Sequence, residues 1–128
     1  AKVIAVEPEG YDSMGQSLRE GRITRVASGK VTICDALQAT QPGQAPFAAA
    51  QRAGIGAITV SDRAVANAMR LAFEELKLVL EPSGAAALAA LLDDRERASG
   101  RRVLVYATGG NIGFEHFQRL VSPPTGSN

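Results

Sequence analysis

The sequence predicts an α/β layer built on a parallel sheet, and three observations carry that expectation. Short aliphatic runs recur at Lys2 to Val6, Gly56 to Ser61 and Arg102 to Thr108, each bounded by glycine, proline or polar residues. These runs are continuous and do not alternate, which suits parallel strands covered by helices on both faces. Between them lie stretches of helical length, giving the strand–helix alternation from which parallel sheets are made.

Taken in order, the first run opens the chain and leads into Glu7-Pro8-Glu9, and Asp12 to Glu20 is a candidate helix. Arg22 to Gln44 has no clear period; an irregular segment of that length in a compact domain points to function or capping. Pro46 to Ala53 is a short helix. The clearest helix is Asp62 to Lys77, where Val65, Met69, Ala72, Phe73 and Leu76 fall on one face. Ser61 is placed as its N-cap, and Asp62 puts a negative charge in its first turn. Leu78 to Leu80 is a fourth, shorter strand-like run. Ser83 to Asp93 is a helix whose small residues permit close packing against a sheet, and Gly113 to Val121 is another. The polar, Pro/Gly-rich residues 122–128 form an expected disordered tail.

The totals narrow the function classes. A length of 128 residues allows one domain with a real core and is too short for two. A formal net charge of +1 offers nothing to nucleic acid or an acidic membrane. The most apolar segment, Gly84 to Leu92, is far shorter than a membrane span and reads as a buried helix. The opening residues are neither signal nor transit peptide, and a start without Met on a buried-type strand leads us to expect a further segment upstream. Cys34 has no second cysteine to pair with, so a reducing cytoplasm is the expected compartment.

Four places carry candidate chemistry. Thr108-Gly109-Gly110-Asn111 follows the last strand-like run, and ligands of parallel sheets sit outside the carboxyl ends of strands. A hydroxyl followed by two glycines lets a flat ligand approach the backbone; the same glycines also suit an ordinary tight turn. The spacing does not fit a phosphate-binding fingerprint. Glu81 stands at a strand end before a helix N-terminus, a place that favours negative charge, and as a plain cap it is equally at home. Glu7 follows the first strand, with Asp12 near enough to share a cation, although loose carboxylates there are usually just solvated. Cys34 has no nearby base: the single histidine, His116, is far along the chain on an expected surface helix. A small buried cysteine is therefore expected, and neither a Ser-His-Asp triad nor a His-rich metal site can be built.

In order along the chain, VIAVEPEG, TICDAL, VSD before an amphipathic helix, LVLEPSGAAALAALL and ATGGN resemble the last third of the threonine/serine dehydratases and serine racemases, which are fold type II pyridoxal-phosphate (PLP) enzymes. The resemblance runs to Leu120. It implies a three-layer α/β fold with a parallel sheet and flanking helices, of which residues 1–121 would form the carboxy-terminal half of the large domain. It puts Thr108 where the family has a serine whose hydroxyl meets the PLP pyridine nitrogen. A neutral hydroxyl there leaves the ring a weaker electron sink, favouring β-elimination over transamination. It puts Gly109 in the same turn and Glu81 near the cofactor, and sets Ala36 where a glycine backbone commonly lies beside the ring. The cation site of some members maps onto Glu7 and the Tyr11 carbonyl, with its second carboxylate position taken by Ser13, which is not acidic and counts against a divalent cation.

The family's Schiff-base lysine and glycine-rich phosphate loop belong to the amino-terminal part, and the chain's lysines, Lys2, Lys30 and Lys77, have no serine-x-lysine setting. The chain is therefore expected to be inactive without that remainder, to partner with it, and to act within a homo-oligomeric enzyme on a small amino acid. The expected reaction is dehydration of L-threonine or L-serine to a 2-oxo acid and ammonia. Racemisation of serine or hydroxyaspartate is the alternative on the same scaffold, and a non-catalytic binding module from a truncated homologue is the alternative from another class.

Overall fold

The computed structural model describes residues 1–27 and 29–122, apart from the Arg97 side chain. All but the first residue of the expected tail, 122–128, lie outside these. The chain divides into two compact units, Ala1–Asp62 and Arg63–Asn128.

The first unit is built on two parallel strands, β1 (Ile4–Pro8) and β2 (Gly56–Val60), in register from Ile4 opposite Gly56 to Pro8 opposite Val60. Backbone bonds from Gly56 N to the Val3 carbonyl and from Glu9 N to the Val60 carbonyl extend the ladder at both ends. Parallel neighbours need a long crossover. Here it holds α1 (Ser13–Glu20), a 3₁₀ turn at Asp35–Leu37 and α2 (Gln44–Ala53). In α1, Ser17 is fully buried, and its hydroxyl is satisfied by donating to the Ser13 carbonyl at 2.7 Å and accepting the Thr24 amide at 2.9 Å.

The second unit holds the body of α3 (Asp62–Leu76), followed by α4 (Pro82–Asp93), the short α5 (Arg95–Ala98) and α6 (Phe114–Val121). Val65, Ala68, Met69 and Ala72 of α3 are completely buried. Phe73 and Leu76, expected on the same covered face, are 47% and 55% exposed, although Phe73 meets Phe117 of α6 edge to face at 5.5 Å. The helix ends at Lys77, which adopts a left-handed φ of 58° while Leu78 N returns to the Ala72 carbonyl. This return closes the helix end through a left-handed residue and is one residue wider than the six-to-one bond of a Schellman cap. Pro82 starts α4, where its missing N–H costs nothing, and Ala85, Ala86 and Ala89 bury one side.

The α/β class and the parallel pairing match expectation, and the five expected helices are present with ends shifted by two residues or fewer. The strand content does not match. Arg102 to Thr108 and Leu78 to Leu80 form no strand, and Val103, Leu104 and Tyr106 are 50%, 80% and 74% exposed. A strand exists through its ladder, and between these two runs the described residues of the second unit make none; the nearest link, Glu81 N to the Gly109 carbonyl, falls just beyond both. β1 and β2 are mostly half-buried, not covered on both faces. Among the described residues no helix is long and apolar enough to cross a membrane.

Candidate functional site

The candidate centre of the second unit is the start of α4 together with the Thr108 turn. Glu81 precedes α4, and its Oε2 accepts the Asn111 amide at 3.0 Å. Its own amide donates to the Gly109 carbonyl, and Thr108 N donates to the Gly84 carbonyl. The approach is too close for side chains: a Cβ on Gly84 would fall 1.5 Å from the Thr108 carbonyl oxygen, and one on Gly109 would fall 2.3 Å from Glu81 Oε1. Gly109 also has φ +73°, a conformation that L side chains rarely adopt. The glycines thus let the turn lie directly on the helix start. The Thr108 side chain is exposed, and its hydroxyl has no hydrogen-bond partner among the described residues. A positioned hydroxyl of this kind can donate to or accept from a ring nitrogen.

The structure therefore brings together Thr108, Gly109 and Glu81. It gives Glu81 a task that local sequence reading left open, as a clamp on the turn through Asn111. Ala36 lies in the first unit, exposed at the centre of the Asp35–Leu37 turn. Just before it, Cys34 is fully buried, as expected, and burial pushes its thiol up to about 11.

The Glu7 carboxylate is taken up by the start of α1. Its Oε1 accepts the Met14 amide at 2.8 Å and its Oε2 the Gly15 amide at 2.9 Å, both in the first turn of α1. These are the donors that a helix leaves unpaired, so Glu7 acts as a cap from outside the helix. Burial raises its carboxyl above the ordinary value and Asp12 adds to this; the two amides and Arg19 oppose it. Asp12 accepts from Arg19 Nη2 at 3.3 Å and from Gln16. Tyr11 is buried, with its hydroxyl on the Lys30 carbonyl at 2.9 Å, and Ser13 is buried at 3% exposure. Among the described residues no group of three or more His, Cys, Asp or Glu side chains could hold a metal. This donor set does not fit a divalent cation.

The lysines are on other duties. Lys30 Nζ lies 3.6 Å from Glu9, Lys77 Nζ donates to the Glu74 carbonyl, and Lys2 is exposed near the chain start. His116 is exposed on α6, as expected. Sequence reading missed the roles of Gly84, Asn111 and Asp62. All three stood inside quoted motifs, but the partners of Asp62 lie about thirty residues away and leave no local signal.

A family model described as pyridoxal-phosphate dependent enzyme matches residues 1–109. The L-threonine ammonia-lyase of Thermotoga maritima is 33% identical over 121 residues, which cover 94% of this chain and 30% of that one. Among solved structures, a T.th. threonine deaminase superposes with a TM-score of 0.80 at 36% identity, over 88% of this chain and 41% of that one. Maize serine racemase does so with a TM-score of 0.80 at 31% identity, over 92% and 37%. The chain thus spans about a third of the length of these relatives.

Proposed function

Since the chain belongs to the family of pyridoxal-phosphate dependent enzymes, we propose that it forms part of an ammonia-lyase converting L-threonine or L-serine to a 2-oxo acid and ammonia. The observation that carries this reading is the Thr108 hydroxyl, without a hydrogen-bond partner among the described residues and exposed at the head of a turn that Glu81 and Gly84 fix to the start of α4. PLP, when bound, supplies the electron sink for a carbanion at the substrate Cα. This chain's part is to hold and orient. Thr108 would hold the ring nitrogen through a neutral hydroxyl, Gly109 keeps the turn close, Glu81 fixes the turn, and the Ala36 backbone would be a second contact with the cofactor.

The proton transfers belong to a lysine outside this chain, because Lys2, Lys30 and Lys77 are surface residues engaged elsewhere or remote from the Thr108 turn in sequence. Both units are taken as one partial large domain over residues 1–121, completed by the remainder that the longer relatives carry. The proposal extends to a reducing cytoplasm, where Cys34 stays a thiol, and to a homo-oligomer.

Racemisation is the second reading, favoured by the equal fit to maize serine racemase. Product analysis of the enzyme containing this chain, given L-serine and L-threonine, separates the two. Pyruvate or 2-oxobutyrate with ammonia supports the lyase, and D-serine supports the racemase. No turnover, and no visible band of bound PLP, means a binding module.

A further inference from the structure

Most of the segment between α1 and α2 lacks regular structure, yet one stretch of it is fixed at a single point. The Asp62 carboxylate, at the first position of α3, accepts the Thr32 hydroxyl on Oδ1 at 2.6 Å and the Ile33 amide on Oδ2 at 3.1 Å. The Thr32 oxygen in turn accepts the Cys34 amide at 3.2 Å. Thr32 and Cys34 are buried, at 8% and 0% exposure. Immediately beyond them comes the Asp35–Leu37 turn with Ala36 at its centre.

The chemistry of this joint is selective. A carboxylate offers two acceptor oxygens and takes both donors at once, whereas an amide would turn its NH₂ toward one of them. A favourable charge in the first turn of α3 would by itself require any nearby acid, and would not require Thr32. Charge-assisted bonds to a hydroxyl and an amide are of the strong kind.

We propose that Asp62 is a positioning residue for the Ala36 turn: it latches Thr32 and Ile33 to the start of α3 and so sets the backbone that meets the cofactor. The inference rests on the reading of Ala36 as a cofactor contact. Asp62 itself is not catalytic, since its hydrogen bonds go to Thr32 and Ile33.

The chain contains one cysteine, so a thiol reagent reports on this stretch alone. With Cys34 fully buried, labelling requires the stretch to open. In the intact chain, Asp62→Asn and Thr32→Val are expected to label about tenfold faster or more than the wild type, and Thr32→Ser, which keeps the hydroxyl, at the wild-type rate. Far-UV circular dichroism confirms that each variant is folded; Thr32→Val keeps the side-chain shape and serves if Asp62→Asn does not fold. In the PLP-loaded enzyme containing this chain, the same two variants are expected to shift the absorption of the bound cofactor and to weaken PLP binding about tenfold. Thr32→Ser is expected to change neither.

Equal labelling of all four proteins overturns the latch. Faster labelling with unchanged cofactor spectrum and affinity overturns the positioning role and leaves only a structural joint. A wild-type enzyme with no bound-PLP band overturns the reading of the site and the positioning role with it, while the labelling rates still decide whether the latch exists.

Discussion

Glu81 grips Asn111 by the backbone, with Oε2 3.0 Å from its amide, while Oε1 occupies the space where a side chain on Gly109 would stand. The turn and the helix start are therefore one mechanical part. Gly109→Ala must bear a left-handed φ and also displace Glu81, and a loss of about 1–3 kcal/mol is expected. Gly84→Ala sets a methyl against the Thr108 backbone, where nothing flexible can yield, so a loss of about 3 kcal/mol or more is expected. Denaturant unfolding of the two variants measures both losses, and their order is the critical point: Gly84→Ala costs more.

Thr108 differs in that its side chain supports nothing in the described structure. Thr108→Val is expected to leave the unfolding midpoint of the chain within about 0.5 kcal/mol of the wild type. In the loaded enzyme it is expected to weaken PLP binding about tenfold, through loss of one buried-type hydrogen bond. Thr108→Ser keeps the bond and the affinity. A spectroscopic titration with PLP reads both variants; equal affinity for Val and Thr would remove Thr108 from the site.

Cys34 makes stability fall on the alkaline side. Burial raises its thiol from the ordinary 9.0 to about 11, so the stability of the neutral form is complete below 9.0 and is lost as the pH rises through 11. A shift of that size corresponds to about 2.7 kcal/mol at most. Cys34→Ala has no thiol to ionise. It is expected to be about 1 kcal/mol less stable than the wild type at pH 8, from the small cavity, and to overtake it at about pH 10, within the window between the two values. Unfolding curves across pH 8 to 11 test the crossing.

Glu7 titrates in the same sense at acid pH. Its carboxyl is raised above 4.5, chiefly by burial, so stability is present below 4.5 and is lost as the pH rises through the raised value. Glu7→Gln keeps one acceptor for the Met14 and Gly15 amides and is expected to cost about 1 kcal/mol, a deficit that shrinks as the pH rises across that window. With both oxygens committed to α1, neither millimolar Mg²⁺ or Ca²⁺ nor EDTA is expected to move the unfolding temperature of the chain. A rise of several degrees with either ion would mean that a cation stabilises the native state here.

The helices were legible because a period of 3.6 residues is a local property: Val65, Met69 and Ala72 are buried as their spacing requires. How far along the helix the cover extends is not local, and Phe73 and Leu76 on the same stripe are about half exposed. Arg102 to Thr108 has strand composition, but composition supplies no partner for its backbone. The Thr108 turn was visible as a motif, whereas its fastening was not. Glu81 to Asn111 and Asp62 to Thr32 each span 30 residues, and nothing in either neighbourhood names the other end.

The stop of α3 has a consequence for anyone wishing to make the molecule hardier. Lys77 is the non-glycine residue that the described backbone holds at positive φ, a posture costing an L-residue about 1–2 kcal/mol. The closure of the helix end needs the posture and not the lysine, because its bond is made by Leu78 N. A library screened for heat resistance should therefore enrich glycine at position 77 ahead of any core exchange. Core changes must conserve volume among Val65, Met69 and their neighbours, whereas this one only relaxes the main chain.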